Sequence, residues 1–337
     1  MKDISSSISP AHYPVMLEEV LKVSSPEKGG LFFDCTFGCG GYSNAILSFP
    51  KTRIIALDRD PNTKEYAEQT KKKFKDRFAF YNLKFSELNK VTKENLKADC
   101  IIFDLGLSSL QILDLKRGFS FNSKSKLDMR MGLNSISANE VLNNFNLKSL
   151  NNIFKIFGEE KESYHIAKNI IKERTKKKIS SIPDLVNIIK KSKRKDFNKK
   201  INVSTKTFQA IRIFVNKEIS ELIQGLIEAT KYLKTGGKII IVSFHSIEDK
   251  IVKFFFTNFS NNKPNSSRYY PDSNNQEILF ENYSNKVLRP GENELKKNRP
   301  SRSAKLRFAV RSKDDFFNPT DLKNKFLNYI ELENIDV

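Results

Sequence analysis

The sequence predicts an α/β protein, a mostly parallel sheet into which a helical domain is inserted. Three observations predict it. Apolar runs rich in β-branched and aromatic residues recur along the 337 residues, polar stretches of helical period follow most of them, and the alternation stops across one long internal segment. With 39% hydrophobic and 29% charged residues the chain can bury a substantial core.

Taken in order, strands are expected over residues 31–36, 53–57, 79–82, 99–104 and 238–244, with a late strand over 305–310. Between Asp104 and about residue 200 no comparable run occurs, and 138–157 and 164–178 have helical character. Over 205–233, Phe208, Ile211, Val215, Ile219 and Leu222 recur at spacings of 3 and 4, which predicts one helix with one buried face, ended by Gly236-Gly237. The expected organisation is therefore a sheet domain over 1–110, a helical insertion over 111–203, a return to the sheet domain over 204–312 and a tail over 314–337. Within the returning part, 257–285 reads as an exposed loop and 286–313 as a basic segment.

No apolar run approaches the roughly 20 residues of a bilayer-spanning helix, Ile239-Ile240-Ile241-Val242 being typical of the longest. The start carries no apolar leader core, and three cysteines at these spacings form no evident disulfide framework or zinc site. A reducing cytoplasm, no membrane and no metal are expected.

The net charge is +20, and it is concentrated. Residues 161–200 hold 14 Lys/Arg against 4 Asp/Glu, and 286–313 hold 10 against 2. A polyanion partner accounts for this, because each neutralised phosphate releases counterions; a coding bias toward lysine would raise the same count without function. Five arginines between Arg289 and Arg311 favour the first reading.

Three expected strands end in ligand-type residues, at the carboxyl edge where open α/β sheets bind ligands. The first ends in Asp34-Cys35-Thr36-Phe37-Gly38-Cys39-Gly40-Gly41-Tyr42-Ser43, a tight turn into a helix that lacks the third glycine of a dinucleotide fingerprint. The second ends in Leu57-Asp58, a carboxylate placed to accept both hydroxyls of an adenosine ribose, while Asp60 before Pro61 has the plainer character of a helix N-cap. The third ends in Asp104-Leu105-Gly106-Leu107.

These stretches belong to a longer series. His12-Tyr13-Pro14-Val15-Met16, the glycine turn, Asp104 to Gln111, Arg117-Gly118-Phe119-Ser120-Phe121, Leu127-Asp128-Met129-Arg130-Met131, Thr207-Phe208-Gln209-Ala210-Ile211-Arg212, Ser243-Phe244-His245-Ser246 and Arg299-Pro300-Ser301-Arg302-Ser303-Ala304-Lys305-Leu306-Arg307 follow in one order. In that order the chain resembles the bacterial 16S ribosomal RNA (cytosine-N4)-methyltransferase family, of the MraW/RsmH type. The resemblance implies a class I, Rossmann-like methyltransferase sheet, S-adenosyl-L-methionine as methyl donor, and 16S rRNA of the small ribosomal subunit as partner. It implies cofactor contacts at Gly40, Gly41, Tyr42, Asp58, Phe85, Asp104 and Gln111. Two departures are visible: Tyr42 stands where many relatives have histidine, and Ile201-Asn202-Val203-Ser204-Thr205-Lys206 replaces a more usual His-Pro-Ala-Thr-Arg.

For the chemistry, Asp104 is the first candidate to accept the proton of the target amine, with His245 as a second group at a strand end. The expected strand end carries no aromatic for the base, so Phe119 and Phe121 beside Arg117 are the candidate stacking groups. Arg117, Arg130, Arg212, Arg302 and Arg307 are the candidate RNA contacts, the guanidinium fork being suited to phosphate. A non-catalytic RNA-binding or ribosome-assembly module is the competing reading.

Overall fold

The computed structural model describes residues 13–92, 96–134, 136–193, 202–261, 277–281 and 283–336. His12 and most of the expected 257–285 loop lie outside them. In chain order the elements are α1 (Leu17–Ser24), β1 (Gly30–Asp34), α2 (Gly41–Leu47), β2 (Thr52–Leu57), α3 (Lys64–Phe74), β3 (Phe78–Tyr81), β4 (Ala98–Asp104) and α4 (Ser109–Leu113). There follow α5 (Ala138–Asn144), α6 (Leu147–Phe157), α7 (Ser163–Arg174), α8 (Ile182–Ser192), α9 (Thr205–Asn216) and α10 (Glu218–Lys231). The remainder are β5 (Leu233–Ser243), α11 (Ser246–Asn258), β6 (Phe280–Glu281), α12 (Glu292–Lys297), β7 (Lys305–Arg311), α13 (Thr320–Lys325) and α14 (Leu327–Glu333).

The chain forms two compact units, one of Met1–Ser109 with Leu222–Lys325 and the other of Leu110–Glu221 with Phe326–Val337. The first unit is built on a seven-stranded sheet in the order β3-β2-β1-β4-β5-β7-β6. β1 to β5 pair in parallel, and β7 and β6 close one edge antiparallel. β1 and β4 are buried almost end to end, as strands covered on both faces must be, and they read as unbroken apolar runs for that reason. Asp34 pairs in register with Ala56 and Ile102, and Asp104 with Val242, so the carboxyl ends of the central strands form one edge.

The second unit is helical. On α6, Leu150, Ile153, Phe154 and Phe157 lie one turn apart on a single buried face, and the Phe157 ring stacks on Tyr329 of α14 at 6.2 Å. Met131 N–H donates to the buried Asn216 side chain at 2.8 Å, whose amide nitrogen donates in turn to Met129 O.

Four sequence expectations are corrected. The helix expected over 138–157 is two, because Phe145 turns extended into the core and Asn146 Oδ1 caps the next helix by accepting Ser149 N–H. The helix over 205–233 is also two, divided at Lys217 in the left-handed region (φ 49°). Its cause is tertiary: Glu333 of α14, buried, accepts Ile219 N–H and Ser220 N–H at 2.8 Å each and so caps the second helix from across the chain. Gly236-Gly237 does not end a helix but lies inside β5, where the register slips between Ala98 and Cys100. The segment over 257–285 is not all loop, since Leu279, Phe280 and Tyr283 are buried and Phe280–Glu281 adds the edge strand.

Burial pushes the Glu333 carboxyl up to about 7, against the hydrogen bonds from Ser220 and Ile219. Truncation in Glu333→Ala strands two helix-terminal N–H groups, and the expected loss is about 1–3 kcal/mol of stability, read as a lowered denaturation midpoint with an unchanged slope against denaturant.

Candidate active site at the carboxyl edge of the sheet

The turn after β1 is shaped by what surrounds it. Gly40 takes the left-handed region (φ 79°) and begins α2, and a β-carbon there would lie 2.7 Å from Phe37 Cζ. At Gly41 a β-carbon would come within 2.4 Å of Pro14 Cγ, so the side-chain-free position is needed for the close approach of residues 13–16. At Gly38, also in the left-handed region (φ 55°), a β-carbon would meet Ser108 Cβ at 3.6 Å and Thr36 O at 3.9 Å, ordinary contact distances. The Tyr42 ring lies in the core and its hydroxyl donates to Val15 O.

Three strand-end carboxylates stand around this turn. Asp34 is buried, accepting Ser43 O–H at 2.6 Å and Thr36 N–H at 3.3 Å, and burial pushes it up to about 6. Asp58 holds the turn to β2, with Oδ2 accepting Gly38 N–H at 2.7 Å and Oδ1 accepting Asp60 N–H at 2.8 Å. Burial pushes Asp58 up to about 6 as well. Asp60 is the N-cap read from the sequence, accepting Asn62 N–H at 3.1 Å.

Asp104 differs from both. Its backbone N–H donates to Thr36 Oγ1 at 2.7 Å, tying β4 to β1, yet its Oδ1 is buried with no hydrogen-bond partner among the described residues. Burial, and then the charges of Asp34, Glu248 and Glu294, hold its carboxyl well above the usual range. In a chain of net charge +20, three acids are gathered at this edge.

Phe85, half-buried after β3, meets Phe103 edge-on at 5.3 Å. Gly225 makes room for it, since a β-carbon there would fall 2.4 Å from Phe85 Cδ2. His245 caps α11: its Nδ1 accepts Glu248 N–H at 3.4 Å, and Glu248 Oε2 accepts Phe244 N–H at 2.8 Å. Its Nε2 is buried 3.0 Å from Glu248 Oε1, out of line for a hydrogen bond.

In the basic segment, Arg302 is exposed. Arg307 is buried, and its guanidinium donates to Asp249 at 2.7 Å, Tyr283 at 3.0 Å and Asn285 O at 3.2 Å. The other candidates fall in the second unit. Gln111 is buried in α4. Arg117 lies over the buried Phe119 ring at 5.5 Å and donates to Arg130 O and Met131 O. Phe121, half-buried, meets Phe208 edge-on at 6.2 Å. Arg130 grips Asp128 through two nitrogens and remains partly exposed, and Arg212 grips Glu218 through two nitrogens at 2.8 Å each.

The sequence places Asp34 at the head of the glycine turn, as one of three ligand-type strand ends, but gives it no role of its own; Glu248 and Glu294 are likewise given none. Glu248 sits three residues past His245, the spacing of a capping box. Nothing in the sequence marks Glu294.

An open sheet of this strand order, with a glycine turn after β1 and carboxylates ending β1, β2 and β4, is the class I, Rossmann-like methyltransferase fold. The chain belongs to the MraW methylase family, which it matches over residues 9–312. A relative from Ehrlichia canis (strain Jake), named ribosomal RNA small subunit methyltransferase H, is 40% identical over 299 residues, covering 88% of this chain and 98% of its own. Another of the same name, from Rickettsia akari (strain Hartford), is 42% identical over 305 residues, covering 88% and 97%.

With its acid raised in the fold above the roughly 3.9 of an unfolded aspartate, Asp104 makes the ligand-free protein progressively less stable as pH rises above about 4, because the unfolded chain then gives up a proton that the folded one keeps. Asp104→Asn should therefore melt at a higher temperature than wild type at pH 7, with the two converging toward pH 4; a lower melting temperature at pH 7 would contradict this electrostatic picture.

Proposed function

We propose that the protein transfers a methyl group from S-adenosyl-L-methionine to the exocyclic N4 of one cytosine in 16S rRNA of the small ribosomal subunit. The observation that carries the reading is the buried, unpartnered Oδ1 of Asp104 among like-charged carboxylates. Such an oxygen favours a ligand that brings positive charge or a polar N–H. The names and 40–42% identity of the relatives support the RNA, as do the basic segments.

Bound at this edge, the cofactor supplies an electrophilic methyl group on a positively charged sulfur. Asp58 retains a lone pair on each oxygen beyond its bonds to Gly38 and Asp60, enough to accept both ribose hydroxyls. Phe85 packs beside the adenine, and Gly40 and Gly41 offer backbone to the cofactor, their missing side chains leaving room for Phe37 and Pro14. Tyr42 serves through its backbone, since its ring is in the core.

The amine of cytosine is a poor nucleophile because its lone pair is delocalised into the ring, so alignment at about 3–3.5 Å supplies much of the rate. Asp104 accepts the amine N–H and takes its proton as positive charge develops on N4. Positive charge at this edge also draws the Asp104 carboxyl back toward its ionised, proton-accepting form. His245 contributes by fixing the start of α11 and Phe244, which lies beside Gly106.

Exposed Arg302 presents its fork to phosphate, and buried Arg307 anchors the segment that carries it. Phe121 is the more accessible of the two candidate stacking rings, and Arg117 and Arg130 shape the loop that holds both. Arg212, paired with Glu218, supports the same unit.

The test is methyl transfer from labelled S-adenosylmethionine to unmethylated small subunits and to their naked RNA, followed by mass spectrometry of the nucleosides. N4-methylcytidine at one site is expected. Cofactor binding without label in either acceptor would overturn the RNA target, and no cofactor binding would overturn the donor and favour a non-catalytic RNA-binding module.

Asp58→Ala should weaken cofactor binding by about 1.5–3 kcal/mol of charged hydrogen bonding, roughly ten- to hundredfold. Because Asp58 is pushed up to about 6 and must be ionised to accept the hydroxyls, wild-type affinity should fall as pH drops below that value. Calorimetry across pH 5–8 checks both, with the variant expected to lose this pH dependence.

A further inference from the structure

Residues 13–16 are stitched to the glycine turn on one side and to the basic segment on the other. Pro14 occupies the space beside Gly41, and the Tyr42 hydroxyl donates to Val15 O. On the far side, Met16 N–H donates to Glu294 Oε1 at 2.8 Å, across 278 residues of sequence. Asn298 Nδ2 reaches Tyr13 O at 3.5 Å and Glu294 Oε1 at 3.4 Å. Met16 is buried in the left-handed region (φ 54°), a strained conformation for a side chain of its size that persists only where neighbours enforce it. Its N–H has no place in the ladder of α1, and the Glu294 carboxylate satisfies it.

α12, which carries Glu294, has two faces. Glu294 and Asn298 are half-buried against residues 13–16, whereas Leu295, Lys296, Lys297 and then Arg302 are exposed. Asn298 also joins the two parts of the segment, since its carbonyl accepts both the N–H and the hydroxyl of Ser301. Glu294 and Asn298 are therefore hydrogen-bonded links between the segment that carries the exposed cations and residues 13–16 beside the glycine turn.

We propose that Glu294 and Asn298 are positioning residues that couple RNA engagement at Lys296, Lys297 and Arg302 to cofactor retention, by seating residues 13–16 against Gly41 and Tyr42. The inference rests on the reading that RNA and S-adenosylmethionine are the ligands. Phosphate held by the basic face keeps α12 seated, and a seated α12 keeps the wall of the cofactor site in place. By linkage the effect is reciprocal: bound cofactor must tighten RNA binding by the same factor.

The test is calorimetric titration of the full chain with S-adenosylhomocysteine, alone and in the presence of an unmethylated small-subunit RNA transcript. In wild type the RNA should tighten binding about fivefold or more. Glu294→Ala should abolish that ratio, and Glu294→Gln, which keeps an acceptor oxygen at the same reach, should restore it. A merely structural role would lower thermal stability and both affinities without changing the ratio. Should Glu294→Ala fail to fold, Asn298→Ala, which removes only the tie to Tyr13 and its bond to Glu294, should reduce the ratio by itself. Equal ratios in wild type and folded variants, or no coupling in a wild type that binds both ligands, would overturn the proposal. A wild type that binds neither would instead overturn the reading of the ligands on which it rests.

Discussion

Asp34, Asp58 and Asp104 stand at the ends of adjacent parallel strands, and the first unit is arranged around the burial of all three carboxyls. Each carboxylate is driven toward its protonated form, first of all by burial. The protein meets the problem unequally. Asp34 and Asp58 are satisfied by backbone N–H groups and the Ser43 hydroxyl, and in return they hold the glycine turn in shape. Asp104 is left with its Oδ1 unmatched, the one unmatched oxygen among these three strand-end carboxylates. An unmatched buried charge is retained where a ligand completes it, at the expense of the ligand-free protein's stability.

The same economy appears in the arginines. Those read from the sequence as RNA contacts divide sharply by environment. Arg117, Arg212 and Arg307 spend their guanidinium groups on carbonyls and carboxylates within their own units, whereas Arg302 is exposed. Net charge in a segment therefore overstates how much of it faces a partner. The segment over 286–313 is basic in sequence, yet part of that charge anchors β7 to Asp249 through Lys305 and Arg307.

The parallel sheet, its strand positions and the ligand-type strand ends were legible because both signals are local. A strand covered on both faces is an unbroken apolar run, and a carboxylate or glycine turn at its end is adjacent in sequence. The Asn146 cap that divides α5 from α6 was equally local and was overlooked in favour of the longer apolar period. The break between α9 and α10 had no such signal, because the group that caps α10 is Glu333, more than a hundred residues away.

By itself, then, the sequence determined the fold class, the order of motifs and the three strand-end positions from which the site is built. Tertiary structure alone decided which charges are spent internally, that Tyr42 is a core residue tied to Val15, and that Glu294 holds Met16. The physical reason is that hydrophobic periodicity and turn chemistry act over a few residues, whereas desolvation and hydrogen-bond satisfaction depend on whatever the fold brings alongside. Those partners come from any distance along the chain.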